Sequence, residues 1–184
     1  FDHRRDGTVP GEGTAAIFME EMNLARRRNA RIYGEIRGFG SACNPASPRQ
    51  SIAQAMRSAL KDAGIEAKDL GHISAIGISG IQEDREEALA IGDVLGSSLG
   101  DVPIVAYKSS VGSMSAASGA METVASLLAV EHGQLPAVLN FEKSNDDMPK
   151  LRIVQKVEAC PEKPFVSLAR SYSGQCAALV IAPV

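Results

Sequence analysis

Short β-like runs alternate with helical stretches along the whole chain, and this alternation constrains the fold more than any other feature. A chain built this way packs helices on a mixed sheet. The expected strands are Thr14–Met19, Arg31–Ala42, His72–Ile78, Val102–Tyr107, Val138–Phe141, Ile153–Val157, Phe165–Ala169 and Cys176–Ala182. In the second of these, Ile32, Ile36 and Phe39 are the apolar positions, and glycines at 34, 38 and 40 permit bends. Arg170–Gln175 is expected to close a hairpin between the last two.

The helices follow from spacing and punctuation. Glu20–Arg28 places Met22 and Ala25 inward, with Asn29 as a left-handed stop. Ser47, Pro48 and Gln50 form a helix start, followed by Ile52, Met56, Ala59, Leu60 and Ala63 at helical spacing and a stop at Gly64. Asp84 and Glu87 repeat the capping pattern ahead of the stripe Ala88, Ile91 and Leu95. Ser113–Glu131, ended by Gly133, carries Ala117, Met121, Val124 and Leu128 on one face and small residues elsewhere, and reads as buried nearly all round.

At 184 residues, 45% hydrophobic and 22% charged, the chain suffices for one domain spanning residues 1–184. A net charge of -3 and the absence of tryptophan argue against a nucleic-acid surface. No uncharged run reaches the ~20 residues of a membrane span, and no signal peptide opens the chain. Cys43, Cys160 and Cys176 form no metal-binding pair and read as reduced, mostly buried thiols of a cytoplasmic protein. Phe1-Asp2 is not an ordinary start, so a fragment of a longer protein is expected.

Several segments resemble the C-terminal half of a β-ketoacyl synthase. Phe1 to Gly13 resembles that family's FDxxRDGFVxGEG stretch, departing mainly at Thr8. Glu20-Glu21, Ala25–Ala30, Gly34–Gly40, Ala55–Gly64, Lys108-Ser109 and Ser118–Glu122 follow in the family's order. The resemblance implies a layered α/β thiolase-like half-fold, a mixed β-sheet with helices packed on it. It also implies acyltransferase chemistry of fatty-acid or polyketide type, with no cofactor or metal. The family joins acyl groups by a Claisen reaction. A cysteine of the N-terminal half holds the acyl thioester, and two histidines of the C-terminal half assist decarboxylation.

At both histidine positions the resemblance breaks. Ser74–Gly80 stands where the family has N-A-H-G-T-S-T, which puts Ile76 at the first position. Lys108–Ser113 stands where it has K-S-x-x-G-H, which puts Ser113 at the second. Leu168–Gly174 replaces the glycine-rich loop NSFGFGG, so Arg170, Ser171, Tyr172, Ser173 and Gly174 take the place of the acyl-cavity loop. Isoleucine neither donates nor titrates, and serine does not titrate near neutrality.

Other positions carry two readings each. Lys108 and Glu122 sit where the family keeps a supporting pair; a structural ion pair is favoured over a catalytic scaffold. Asp84 and Glu87 match the family pattern but read first as a structural cap. His3, His72 and His132 match neither catalytic position. Cys176, beyond the altered loop, is a remote substitute nucleophile. Arg26, Arg27, Arg28 and Arg31 form the one basic cluster, either a solvated helix end or a surface for an acidic acyl carrier protein.

The resulting expectation is a non-condensing subunit of the chain-length-factor kind. Its partners would be the N-terminal half of the same protein and a ketosynthase-type homo- or heterodimer. The alternatives are a divergent active 3-oxoacyl synthase using residues of the N-terminal half, and an acyl-thioester-binding module. In isolation, the helix at 113–131 is expected to show an uncovered apolar face and to drive self-association.

Overall fold

The computed structural model describes residues 1–184. In chain order its elements are α1 (Met22–Arg27), β1 (Glu35–Cys43), α2 (Pro48–Ala63), β2 (His72–Ser74), α3 (Ile81–Leu95), β3 (Pro103–Val105), α4 (Lys108–Val111), α5 (Ser118–His132), β4 (Gln134–Leu135), β5 (Arg152–Ile153), β6 (Glu158–Ala159), β7 (Phe165–Arg170) and β8 (Gln175–Ala182). Six strands form one mixed sheet in the order β1-β8-β7-β2-β3-β5, while β4 and β6 pair separately. The β2 strand runs parallel to β3 and β7; β8 runs antiparallel to β7 and β1.

The β7–β8 connection is the expected hairpin, closed by Gly174 at φ +91° against Pro45. Helix α2 begins at Pro48 and ends at the left-handed Gly64, but Ser47 makes no side-chain cap bond. Asn44 organises that entry instead: its side-chain oxygen accepts the Ala46 N–H at 3.1 Å, and its own N–H donates to Ser51 Oγ at 2.7 Å.

Strand β1 turns the opposite face inward from the one its apolar residues suggest. Gly38 and Gly40 are its buried positions, and a Cβ on either would collide with the α2 backbone at Ala59 or Ala55. Close helix–strand approach therefore selects the face, leaving Phe39 54% exposed. Three further expectations fail for local reasons. Thr14–Met19 forms no strand, because nothing in the chain pairs with it, and Phe18 is 83% exposed. Val138–Phe141 is a loop, turned by Asn140 at φ +61°. The helix expected at 113–131 is interrupted by Ser115 at φ +52°, so α5 starts at Ser118.

Helices α2 and α3 cover one sheet face with a core that includes Ile52, Met56, Ile73, Ile91, Ile104 and Val166. Helix α5 covers the other face with its polar side inward. Ser118, Glu122, Thr123, Ser126 and Ala129 are its buried residues, while Met121 and Val124 are half-covered and Leu128 is 42% exposed. The strands beneath match this polarity. Ser167 of β7 bonds Thr123 at 2.9 Å, and Ser126 donates to the Tyr107 hydroxyl at 3.2 Å.

Two buried groups give this packing opposing pH dependences. Burial lowers the imidazole of His72 from an ordinary 6.5 to about 3. The unfolded chain therefore takes up a proton that the folded one refuses, and the contribution of His72 is lost as pH falls from 6.5 toward 3. Burial, reinforced by the Asp84 charge, raises Glu87 from 4.5 to about 7, so its contribution is lost as pH rises between those values. The two oppose each other between 4.5 and 6.5, and below 4.5 only the His72 dependence of this pair remains. Below that point His72 should contribute a slope of up to about 1.4 kcal/mol per pH unit. His72→Phe, which keeps the stack on Phe165, is expected to flatten this acid limb in urea unfolding. Parallel limbs for the two proteins would contradict the assignment.

Candidate functional site

Four loops enclose a cavity of about 430 Å³ at one end of the parallel strands. They are Thr8–Pro10, Gly77–Ser79, Lys108–Gly112 and Val138–Phe141, with Phe1, Asp2 and Ala106 completing the wall. Four wall residues have left-handed backbones: Gly77, Ser79, Gly112 and Asn140. At a serine such a conformation is strained and persists only where its surroundings hold it. Here the Ser79 N–H donates to Asp84 at 3.1 Å.

The opening segment is fastened to this site. Buried Arg5 donates to the carbonyls of Asp2, Gly80 and Ile81 at 3.0, 3.3 and 2.8 Å, and Thr8 donates to the carbonyl of Ile78. Asp2 accepts the Glu142 N–H at 2.7 Å, joining the opening loop to the Val138–Phe141 loop. Burial raises the Asp2 carboxyl, but hydrogen bonds from Arg4 and the neighbouring peptides outweigh it and hold the group well below the usual carboxylate range. These anchors escaped the sequence reading, since no local pattern shows that an arginine will meet carbonyls some 75 residues away.

Lys108 and Glu122 are brought together. The Lys108 ammonium contacts the Glu122 carboxylate and donates to the Ile76 carbonyl at 2.7 Å. Both side chains are buried, and burial raises Glu122 against the lowering effect of Lys108. On the other side of the same peptide, Glu87 accepts the N–H groups of Ile76 and Gly77 at 2.6 and 2.9 Å. The backbone at Ile76 is thus held between two buried carboxylates and one lysine. The Ile76 side chain belongs to the main core and is 8% exposed. Ser113 sits beyond Gly112, paired through its backbone with Val9 and Gly11 at 2.8 Å. Neither Ile76 nor Ser113 lines the cavity.

Asp84 and Glu87 do not cap α3, contrary to the sequence reading. The cap is Gly80, four residues earlier than Asp84, which rotates both carboxylates onto the buried side of the helix. Asp84 there accepts the Ser79 N–H, and Glu87 holds the loop after β2. Arg170 ends β7 and Ser171 to Gly174 form the hairpin turn, and none of these residues lines this cavity. Tyr172 is 86% exposed at its tip.

The histidines stay apart. His3 lies in the opening loop beside Asp2, His132 ends α5, and His72 is buried against Phe165. No group of three His, Cys, Asp or Glu is placed to hold a metal ion. Only Cys176 is a fully buried thiol; Cys160 is half-buried and Cys43 exposed, which corrects the expectation of mostly buried cysteines. Burial pushes the Cys176 thiol up to about 11 despite the Arg170 charge, so it stays protonated near neutrality. In the basic cluster, Arg28 pairs with Glu20 at 2.7 Å and Arg31 with Glu131, leaving Arg26 and Arg27 exposed and without salt bridges. No helix is long and apolar enough to cross a membrane.

The buried pair can be tested by deletion of one partner. Lys108→Met is expected to cost about 3–5 kcal/mol in urea unfolding, because Glu122 is left buried and unpaired. Adding Glu122→Leu should restore most of that loss. A single variant within about 0.5 kcal/mol of the parent would show that the pair is not desolvated.

Residues 33–142 match the family described as beta-ketoacyl synthase, C-terminal domain. Among curated relatives, the tetracenomycin polyketide synthase ketoacyl synthase alpha subunit of Streptomyces glaucescens is 35% identical over 99% of this chain and 44% of its own length. A putative mitochondrial 3-oxoacyl-[acyl-carrier-protein] synthase of Schizosaccharomyces pombe is 39% identical over 82% of this chain and 37% of its own. The chain thus spans less than half the length of these relatives. Among solved structures, the ishigamide ketosynthase/chain length factor superposes with a TM-score of 0.92 at 32% identity, covering 100% of this chain and 46% of that one. A type II polyketide ketosynthase in complex with its acyl-carrier protein and bound to the hexaketide gives 0.91 at 31%, covering 100% of this chain and 47% of that one. With the matched segment running from β1 through the Val138–Phe141 loop, the chain belongs to the β-ketoacyl synthase C-terminal domain family.

Proposed function

We propose that this chain is the C-terminal part of a ketosynthase-type subunit of fatty-acid or polyketide synthesis that does not itself condense, acting as a chain-length-factor-like partner of an active ketosynthase. The observation that carries this reading is the pair of positions aligned with the family's histidines, which hold Ile76, packed in the core, and Ser113, beside a cavity wall that holds no imidazole. Its ionisable side chains are Asp2 and Lys108, and Lys108 is engaged with Glu122 and the Ile76 carbonyl.

Decarboxylative condensation develops negative charge on a thioester oxygen and needs donors aimed at it. Removing one such donor typically costs roughly 3–4 kcal/mol in the transition state. On the motif alignment, Ile76 and Ser113 stand at the two histidine positions. Ile76 supplies an apolar side chain to the core, and the peptide groups on either side of it are already bonded to Glu87 and Lys108. The scaffold that would hold a histidine is kept, while the group that would act on substrate is not.

The partner side of the reading rests on α5 and on the similar structures, one of which is a ketosynthase/chain length factor and another a ketosynthase with its acyl-carrier protein. In the proposed arrangement the outward face of α5, with Met121, Val124 and Leu128, packs on the N-terminal half of the same protein. The subunit then pairs with a ketosynthase. Arg26 and Arg27 supply an exposed positive charge suited to an acidic carrier protein.

The test is a condensation assay with acyl-loaded carrier protein and a malonyl thioester. The full-length protein alone is expected to give no product, and product should appear when an active ketosynthase partner is added. A rate from the protein alone comparable to that of an active ketosynthase would overturn the proposal.

A further inference from the structure

Two fully buried polar atoms beneath α5 have no protein partner: Nε2 of His72 and Oγ of Ser74. Both residues lie on β2, two positions apart, so their side chains share one face of the sheet. Ser74 is in register with Ser167, whose hydroxyl bonds Thr123 of α5, which identifies this as the α5 face.

The neighbouring groups are already committed. Thr123 donates its proton to the Gly119 carbonyl at 2.8 Å, so Ser167 is the donor in the 2.9 Å contact between the two hydroxyls. One flat side of the His72 ring stacks on Phe165, with centroids 4.8 Å apart. Nδ1 faces Cys160 Sγ at 4.0 Å, and the Cys160 thiol points its proton at the Pro161 carbonyl at 3.7 Å. With the thiol donating to that carbonyl, sulfur is available to Nδ1 as an acceptor, and the tautomer proposed below puts the ring proton on Nδ1. Nε2 is left as an acceptor that needs a donor, while the Ser74 hydroxyl is a donor that needs an acceptor.

Residues two apart on a strand are separated by roughly 6.6 Å along the chain. That spacing is between the Cα atoms; a water with hydrogen bonds of about 2.8 Å on either side joins polar atoms up to about 5.6 Å apart, a distance the longer His72 side chain can close by leaning along the strand. Buried polar groups without protein partners are where internal waters are held. We propose that His72 and Ser74 together bind one internal water, which accepts from the Ser74 hydroxyl and donates to Nε2, and that His72 is held as its Nδ1–H tautomer. The ligand is neutral, small and able to donate and accept at once. Its structural effect is to pin the end of β2, the strand that leads directly into Ala75–Gly77 and the cavity wall. His72 and Ser74 are thus positioning residues, and this assignment is independent of whether the protein condenses.

The test is a crystal structure of the full-length protein at ~1.5 Å or better, with histidine-selective ¹⁵N spectra of the same protein. The expected result is a solvent peak within about 3.2 Å of both atoms, and an Nε2 resonance of the unprotonated type. In Ser74→Ala the peak should be lost and the Nε2 resonance should move. Direct bonding of either atom to a protein group, an empty space between them, or a proton on Nε2 in the parent protein would each overturn the assignment.

Discussion

Glu122 points into the domain from a helix whose larger apolar residues point away from it, and that carboxylate has to be matched from within. A carboxylate buried without a partner is far more costly than one paired and hydrogen-bonded. The match is Lys108, fourteen residues earlier, beyond a turn at Gly112 and a break at Ser115. The geometry of the whole β3–α5 connection follows from this. The chain must leave the sheet, reverse, and enter α5 at the one rotation that brings Glu122 under Lys108. The same ammonium reaches the Ile76 carbonyl, so β2, β3 and α5 meet at one buried charge.

With the charge inside, the outer face of α5 carries Met121, Val124 and Leu128, none of them buried. A helix turned this way is poorly explained as the outer layer of a finished domain. On the proposed reading it is the middle layer of a larger one, where its outward side meets a second set of elements. The exposed run Ile17–Met19 fits the same account: it is too apolar for a solvent loop, and Phe18, with the Arg28 guanidinium over its ring, is still 83% exposed.

Much of the fold was legible because its signals are local. The stops at Asn29, Gly64 and Gly133, the α2 stripe and the closing hairpin each need only a few residues to be recognised. The failures share a different cause. The inward face of β1 is set by how closely α2 approaches Gly38 and Gly40, and the start of α3 by a left-handed serine, neither of which hydrophobic spacing reveals. The cavity was the least legible part. Its wall comes from four separated loops, and of its four left-handed residues only Gly77 and Gly112 announce themselves by type. The Lys108–Glu122 contact came from the family resemblance, not from spacing.

In the proposed arrangement the outward face of α5 is an interior surface of the full-length protein. The direct measurement is the alkylation rate of a cysteine placed at Leu128, in the 184-residue chain and in the full-length protein, with the native cysteines replaced. Ready labelling is expected in the short chain, where Leu128 is 42% exposed, and strong protection in the full-length protein. Equal labelling rates in the two would contradict it.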